Sequence, residues 1–312
     1  MPPELASLTE SVSLTPVQAI GIPIALFGAI LISIGTQLQH TGVARVGSQV
    51  DTKAGLSIRQ LLALAAQPLW VGGTLMLGLA ILFQLTSLGF APLIVVQPLG
   101  AIALVVTAIV NSRQSGVKLD RASIRAIVLC VGGVGLFVTI AALTAKSSPI
   151  TEVQLRVVLI ILAVVLVAFA LGFALLRKRF TAIFYIVGAG VLFGFVATLA
   201  KVVIDRVKTL SLLNGFQLAP EDVLTVFCLV GLLIAALLGS YFVQSAYSNG
   251  PPDLVVAGLT VIDPLVAVSI GIIVLGEAST APLWAILAFV VAGAIAIYGV
   301  LLLAKNHPQS QH

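Results

Sequence analysis

Stretches of about 18 or more predominantly apolar residues recur along this chain from near residue 17 to near residue 304, each long enough to cross a hydrocarbon core of about 30 Å. Hydrophobic residues make up 60% of the sequence and charged residues 9%, with a mean hydropathy of +1.19. An average soluble domain carries roughly a quarter charged residues, so a water-soluble fold of this length has too few charges to cover its surface. The solvent is therefore lipid. Backbone groups in lipid must be satisfied within one segment or in a closed barrel, and these runs are continuous rather than alternating, so the spans are helices. The expected fold class is all-α: a polytopic transmembrane helical bundle of about nine helices, with no room for a sizeable soluble domain.

The spans are expected near 17 to 39, 64 to 88, 91 to 111, 123 to 144, 154 to 176, 182 to 206, 223 to 247, 253 to 275 and 282 to 304. Pro16, Pro68, Gly89 with Pro92, Pro149, Pro220, Gly250-Pro251-Pro252 and Pro282 punctuate many of their ends. With nine spans the connections alternate sides, and 11 of the 16 Lys and Arg fall on one side. Positive residues favour the cytoplasm, which predicts an outside N-terminus, a cytoplasmic C-terminus and residence in the cytoplasmic membrane. This use of the basic residues leaves no reason to invoke a nucleic-acid partner for the net charge of +5. Met1 to Pro16 is polar and lacks the basic region of a cleaved leader, so the first span is expected to be retained. Cys130 and Cys228 both lie in apolar spans and read as small hydrophobes.

Two stretches resemble each other. Val95-Val96-Gln97-Pro98-Leu99 in the third span matches Val261-Ile262-Asp263-Pro264-Leu265 in the eighth, and each follows a glutamine-bearing, glycine-closed segment, Gln84 to Gly89 and Gln244 to Gly250. Spans 1 to 4 and 6 to 9 thus read as two copies that enter the membrane from opposite sides. The implied division is an extracytoplasmic segment at 1–16, a first repeat at 17–144, a linking helix at 145–181, an inverted second repeat at 182–304 and a cytoplasmic tail at 305–312. Inverted repeats with interrupted helices are a recurring plan of secondary transporters, whose binding sites lie near the midplane.

A proline inside a span removes a backbone donor and crowds the carbonyl four residues earlier, freeing polar groups that lipid cannot hydrate. Both matched segments are therefore expected to be interrupted helices facing a cavity. Asp263 lies about 16 Å into the eighth span, close to the bilayer centre. A carboxylate at that depth costs about 2.5 to 3.5 kcal/mol on insertion scales and should face the bundle interior or water. It is the leading candidate for a proton, cation or substrate site, and it would be the metal ligand if the cargo is a cation. A plain helix cap before Pro264 is the alternative. Pro264, Gln97, Pro98, Gln84, Gln244 and Gln37 complete the primary candidate set, with hydrogen bonding between helices as the competing explanation for the glutamines. Glu277, Lys201 and His40 are secondary candidates. Lys201 is expected to snorkel to the interface near Asp205 and Arg206, Glu277 to sit in water and His40 to be interfacial. The runs Gly132-Gly133-Val134-Gly135 and Gly188-Ala189-Gly190 read as surfaces for close helix contact, since no strand precedes them to make a phosphate loop.

At these residues the sequence resembles the drug/metabolite transporter superfamily. Gly250-Pro251-Pro252, the run from Val255 to Asp263-Pro264-Leu265, and Leu275-Gly276-Glu277 look like its penultimate-helix signature ending in a Gly-Glu pair. The segments Trp70-Val71-Gly72, Gly89-Phe90-Ala91-Pro92 and Gln97-Pro98-Leu99-Gly100 are similar to those of NIPA-type magnesium transporters. The superfamily resemblance extends to EamA-like members. In the NIPA pattern an acidic residue stands in the second span, where this chain has Ile81 and no acid nearby, and Asn111 replaces the acidic end of the third.

The resemblance implies a secondary transporter that moves a small metabolite or amphiphilic solute by alternating access, driven by a gradient because no P-loop motif is present. A NIPA-like magnesium or other divalent-cation transporter is the alternative, and a non-transporting scaffold or flippase subunit a third. An enzyme is not expected, because the three histidines, His40, His307 and His312, lie outside the span centres. No cofactor is expected. The partners implied are the solute or cation and the lipid bilayer, with a homodimer among the assemblies open to the chain.

Overall fold

The protein is described by a computed structural model covering residues 16–47, 64–116, 119–145, 149–176, 182–213, 223–249 and 252–305. Residues 1–15, the tail beyond Lys305, Gly250-Pro251 and the basic positions Lys53, Arg59, Lys118, Lys146 and Arg177 to Arg179 lie outside the described residues. The helices are α1 (Pro16–Gly47), α2 (Pro68–Phe90), α3 (Leu93–Leu99), α4 (Ile102–Ser115), α5 (Arg121–Thr144), α6 (Glu152–Leu176), α7 (Ala182–Leu213), α8 (Val223–Asn249), α9 (Pro252–Ile273) and α10 (Leu283–Lys305). Among the described residues nine segments are long and apolar enough to cross a membrane, with α3 and α4 together forming one of them (Leu93–Arg113). This is the all-α polytopic bundle that the apolar runs require.

Local signals set the boundaries. Pro68 opens α2 at a position where its missing N–H is no loss, and Asp120 caps α5 by accepting a hydrogen bond from the Ser123 amide at 2.8 Å. Gly116 and Gly276 end α4 and the turn after α9 with φ of +69° and +70°, a left-handed conformation that other residues adopt only with strain.

The helices pack in a few dominant pairs: α1 along α2, α7 along both α8 and α9, and α5 along α10. Small residues make the closest crossings. A methyl group on Gly133 of α5 would stand 2.5 Å from the Ala296 amide of α10, and one on Gly299 would collide with the Cys130 amide. Gly132 and Gly135 face open space, so only the central glycine of that run does the packing. Among the largest fully buried side chains are Leu192, Phe195 and Leu199 of α7 and Leu93 to Val96 of α3. The outer surface is apolar instead of charged: Leu237 is 73% exposed and Ile273 79%. Side chains of that size turned outward in number mark a surface meant for lipid, not water.

The two proline segments depart from the expectation of two interrupted helices. Past Pro98 the ladder does tighten: the Gly100 amide donates to the Gln97 carbonyl at 3.1 Å and the Ala101 amide to the Pro98 carbonyl at 3.2 Å, both three residues back instead of four. Gly100 and Ala101 stay in right-handed helical conformation, so the result is a tightened joint between α3 and α4. Around Pro264 there is no interruption, and α9 runs through from Pro252 to Ile273. Continuous helix is maintained there while α7 comes close: methyl groups on Gly190 and Gly194 would lie 2.7 Å from Ile262 Cβ and 2.8 Å from Val266 Cβ. The second segment is corrected from an interrupted helix to a continuous one carrying a proline.

Candidate functional site

Pro98 and Pro264, from distant parts of the sequence, line the same cavity of about 90 Å³, together with Ala101 of the α3–α4 joint, Val134 and Phe137 of α5, Thr260 and Val268 of α9, and Gly293 and Ala296 of α10. Its wall is almost entirely apolar, with the Thr260 hydroxyl turned to its own helix, donating to the Val256 carbonyl at 2.8 Å. The residue before each proline is polar. Gln97 Nε2 and Asp263 Oδ1 are both buried, and among the described residues neither has a hydrogen-bond partner. Leaving a buried donor or acceptor unmade costs about 1 to 3 kcal/mol, and more for a charged group, so the two atoms stand out. Gln97 and Asp263 adjoin the cavity-lining prolines in sequence and do not themselves line the cavity.

A second polar centre lies at the turn between α2 and α3, through Ala91 and Pro92. Here a helix ends and another begins inside the protein, with Ala91, Leu93 and Ile94 fully buried. Every such end leaves carbonyls on one side and amides on the other that need partners. The carbonyls are met by lysine: Lys201 of α7 donates from Nζ to Leu88 O at 2.8 Å and to Ala91 O at 3.3 Å, and pairs with Asp205 at 3.0 Å. These three acceptors match the three donors of an ammonium. Lys208 donates to Gly89 O and lies over the Phe90 ring. The amides are met by Glu277, whose Oε1 and Oε2 accept from Leu93 N at 2.7 Å and Ile94 N at 2.8 Å. Left-handed Gly276 turns the chain back so that the Glu277 amide donates to Gly271 O at 3.0 Å and its side chain reaches α3. Burial pushes the Glu277 carboxyl above the usual carboxylate range, while the Ile94 and Leu93 amides and the Lys201 charge pull it down.

Two expectations are corrected here. Lys201 is 3% exposed and does not snorkel; it pairs with Asp205 inside the protein. Glu277 is 4% exposed and bonded to backbone, not held in water. The reason is the same for both: a backbone end more than 100 residues away supplies their partners, and backbone leaves no mark in a sequence.

The remaining candidates scatter. Gln37 of α1 and Gln84 of α2 are half-buried, and Gln244 lies on an exposed face of α8. His40 belongs to α1, but its side chain lies outside the described residues. The structure thus brings Pro98 and Pro264 to one cavity, with Gln97 and Asp263 next to them in sequence, and leaves the other glutamines out of it. Contacts that sequence reading missed are Ser33 to Thr107, 2.9 Å between hydroxyls of α1 and α4, and Ser87 Oγ donating to Gly21 O at 2.8 Å. Among the described residues no group of three or more His, Cys, Asp or Glu is arranged to hold a metal ion.

Comparison with known proteins agrees with this architecture. The chain is 28% identical over 283 residues to an uncharacterized protein of Corynebacterium glutamicum, an overlap covering 90% of this chain and 93% of that protein. No solved structure matches it. Residues 17–309 match the family described as Magnesium transporter NIPA. A match of that extent, on a bundle with nine lipid-spanning segments among its described residues, means that the chain is a multi-pass membrane transporter and belongs to the NIPA family.

Proposed function

We propose that this protein is a secondary transporter that moves a small amphiphilic metabolite by alternating access, with Asp263 as the recognition or coupling group. One observation carries the reading: Pro98 and Pro264, from opposite halves of the chain, line one apolar cavity, and the residue before each has a buried polar atom without a protein partner, Gln97 Nε2 and Asp263 Oδ1. An apolar wall suits the body of an amphiphilic solute, and an unpartnered carboxylate suits a cationic centre or a coupling proton. The moving parts are two inverted four-helix repeats, 17–144 and 182–304, joined by the helix at 145–181. Their support is the matched Gln97-Pro98 and Asp263-Pro264 pairs and the left-handed glycines that close the segments following both. The bias of 11 of 16 basic residues to one side supports an outside N-terminus in the cytoplasmic membrane.

A second cargo, Mg²⁺, is favoured by the family's description. Mg²⁺ keeps several of its waters and is usually held by one or two carboxylates, so Asp263 would be its anchor and Gln97 a carbonyl donor. Proteoliposome flux separates the two. Uptake of an organic solute that rises with a pH gradient and is lost in Asp263→Asn supports the first reading. Uptake of Mg²⁺, read with an internal indicator and lost in the same variant, supports the second. Unchanged flux of every transported species in Asp263→Asn sinks the role assigned to that residue.

A further inference from the structure

We propose that Lys201 and Glu277 form a latch that holds the α2–α3 turn closed at one face of the molecule, and that its release is the step by which that face opens. The inference rests on the alternating-access reading, but it concerns different residues from the cavity. Both latch side chains come from the C-terminal half of the chain and the turn they hold comes from the N-terminal half. They grip it from its two ends with the correct polarity, an ammonium on the carbonyls that close α2 and a carboxylate on the amides that open α3. The gripped segment leads in a few residues to Pro98, so the latch holds one end of the helix whose other end lines the cavity.

The chemistry of the contact suits a part that opens. A purely apolar seal would expose hydrophobic surface on parting. This one would release two amides, two carbonyls, an ammonium and a carboxylate, all groups that water satisfies well, so the open form is a wetted form without orphaned atoms. The rim of the same face is braced by further polar contacts that can rehydrate: Lys208 to Gly89 O, Gln154 Nε2 to Leu275 O at 3.1 Å and Thr280 Oγ1 to Thr144 O at 3.5 Å. Lys201 and Glu277 are positioning residues in this scheme and touch no cargo.

Thiol labelling tests it without knowledge of the cargo. The native cysteines, Cys130 and Cys228, are fully buried, which keeps background low. Ala91→Cys places a reporter in the turn, fully buried in the latched form, and Thr260→Cys places one on the cavity wall. Full-length protein in nanodiscs is treated with a hydrophilic maleimide, with and without Glu277→Gln. The expected result is labelling of Ala91→Cys about tenfold faster in the Glu277→Gln background, as for a population shift to the open form, with labelling of Thr260→Cys slowed. Conservative Lys201→Arg should leave both rates near those of the parent. An unchanged Ala91→Cys rate overturns the proposal, as does a faster rate with Thr260→Cys unchanged or also faster, since that is local fraying or general loosening. If Glu277→Gln gives no monodisperse protein, Lys201→Gln is read in the same two backgrounds. Because labelling needs no substrate, a failure here leaves the assignment of Asp263 standing, and flux that ignores Asp263→Asn leaves the latch standing.

Discussion

The segments around Pro98 and Pro264 carry nearly the same residues and fold differently. After Pro98 the chain reaches Gly100 within two residues, and the hydrogen-bond ladder shifts from four-residue to three-residue spacing, splitting the span into α3 and α4. After Pro264 come Leu265, Val266 and Ala267, and the helix continues unbroken, sandwiched against Gly190 and Gly194 of α7. The difference teaches that a proline does not break a membrane helix by itself: it removes one donor, and the neighbours decide whether the ladder reorganises or tolerates the loss. The joint falls in the segment with the neutral glutamine, and the continuous helix carries the acid.

The comparison breaks or sharpens under six substitutions. The largest effect is expected at the acid: Asp263→Asn should lower transport about tenfold or more, equivalent to about 1.4 kcal/mol, while Gln97→Leu should cost much less in the same flux assay. Equal losses would mean that the two positions act alike and that the charge is not what matters. Next comes the packing against the continuous α9. Gly194→Leu would drive a side chain into Val266 Cβ, 2.8 Å from the nearest methyl position, and should destabilise the protein by about 1 to 3 kcal/mol, read as a lowered Tm in detergent.

Smaller is the effect of restoring the missing donors. Pro264→Ala lets residue 264 donate to the Thr260 carbonyl, which should raise Tm and slow transport about threefold, or about 0.7 kcal/mol; Pro98→Ala should do less, because the shifted ladder past Gly100 persists. A larger change at Pro98 than at Pro264 would reverse the assignment of joint and rod. The smallest is at the joint itself. Gly100 is in right-handed helical conformation and a methyl there would lie 3.3 Å from Gln97 O, so Gly100→Ala should alter stability by no more than about 0.5 kcal/mol in chemical unfolding. A loss well above that would show that the joint needs the glycine's freedom and not only its ladder.

Much of the fold was legible because lipid imposes a one-dimensional rule: a helix that spans must be apolar for its whole length, and each of the nine runs was. Punctuation by Pro68 and Pro282 was legible for similar local reasons. The meeting of Pro98 with Pro264 could be read from the internal likeness, since two copies of one motif suggest one shared centre. Lys201 and Glu277 could not be read correctly. Hydropathy treats a charge near a span end as bound for water, whereas both side chains turn inward to cap the ends of other helices, and the capped groups are main chain. Gln244 shows the converse, a site candidate in a segment matched to that of Gln84 that stands on an exposed face.

The crossing of α5 with α10 carries one more consequence. At Gly133 and Gly299 the two backbones meet with no side chain between them, one helix from each half of the chain. Such a contact cannot slide without driving main chain into main chain, and it cannot widen without opening a void that lipid tails are too thick to fill. What such a contact resists least is rotation about the crossing point, like the rivet of a pair of scissors.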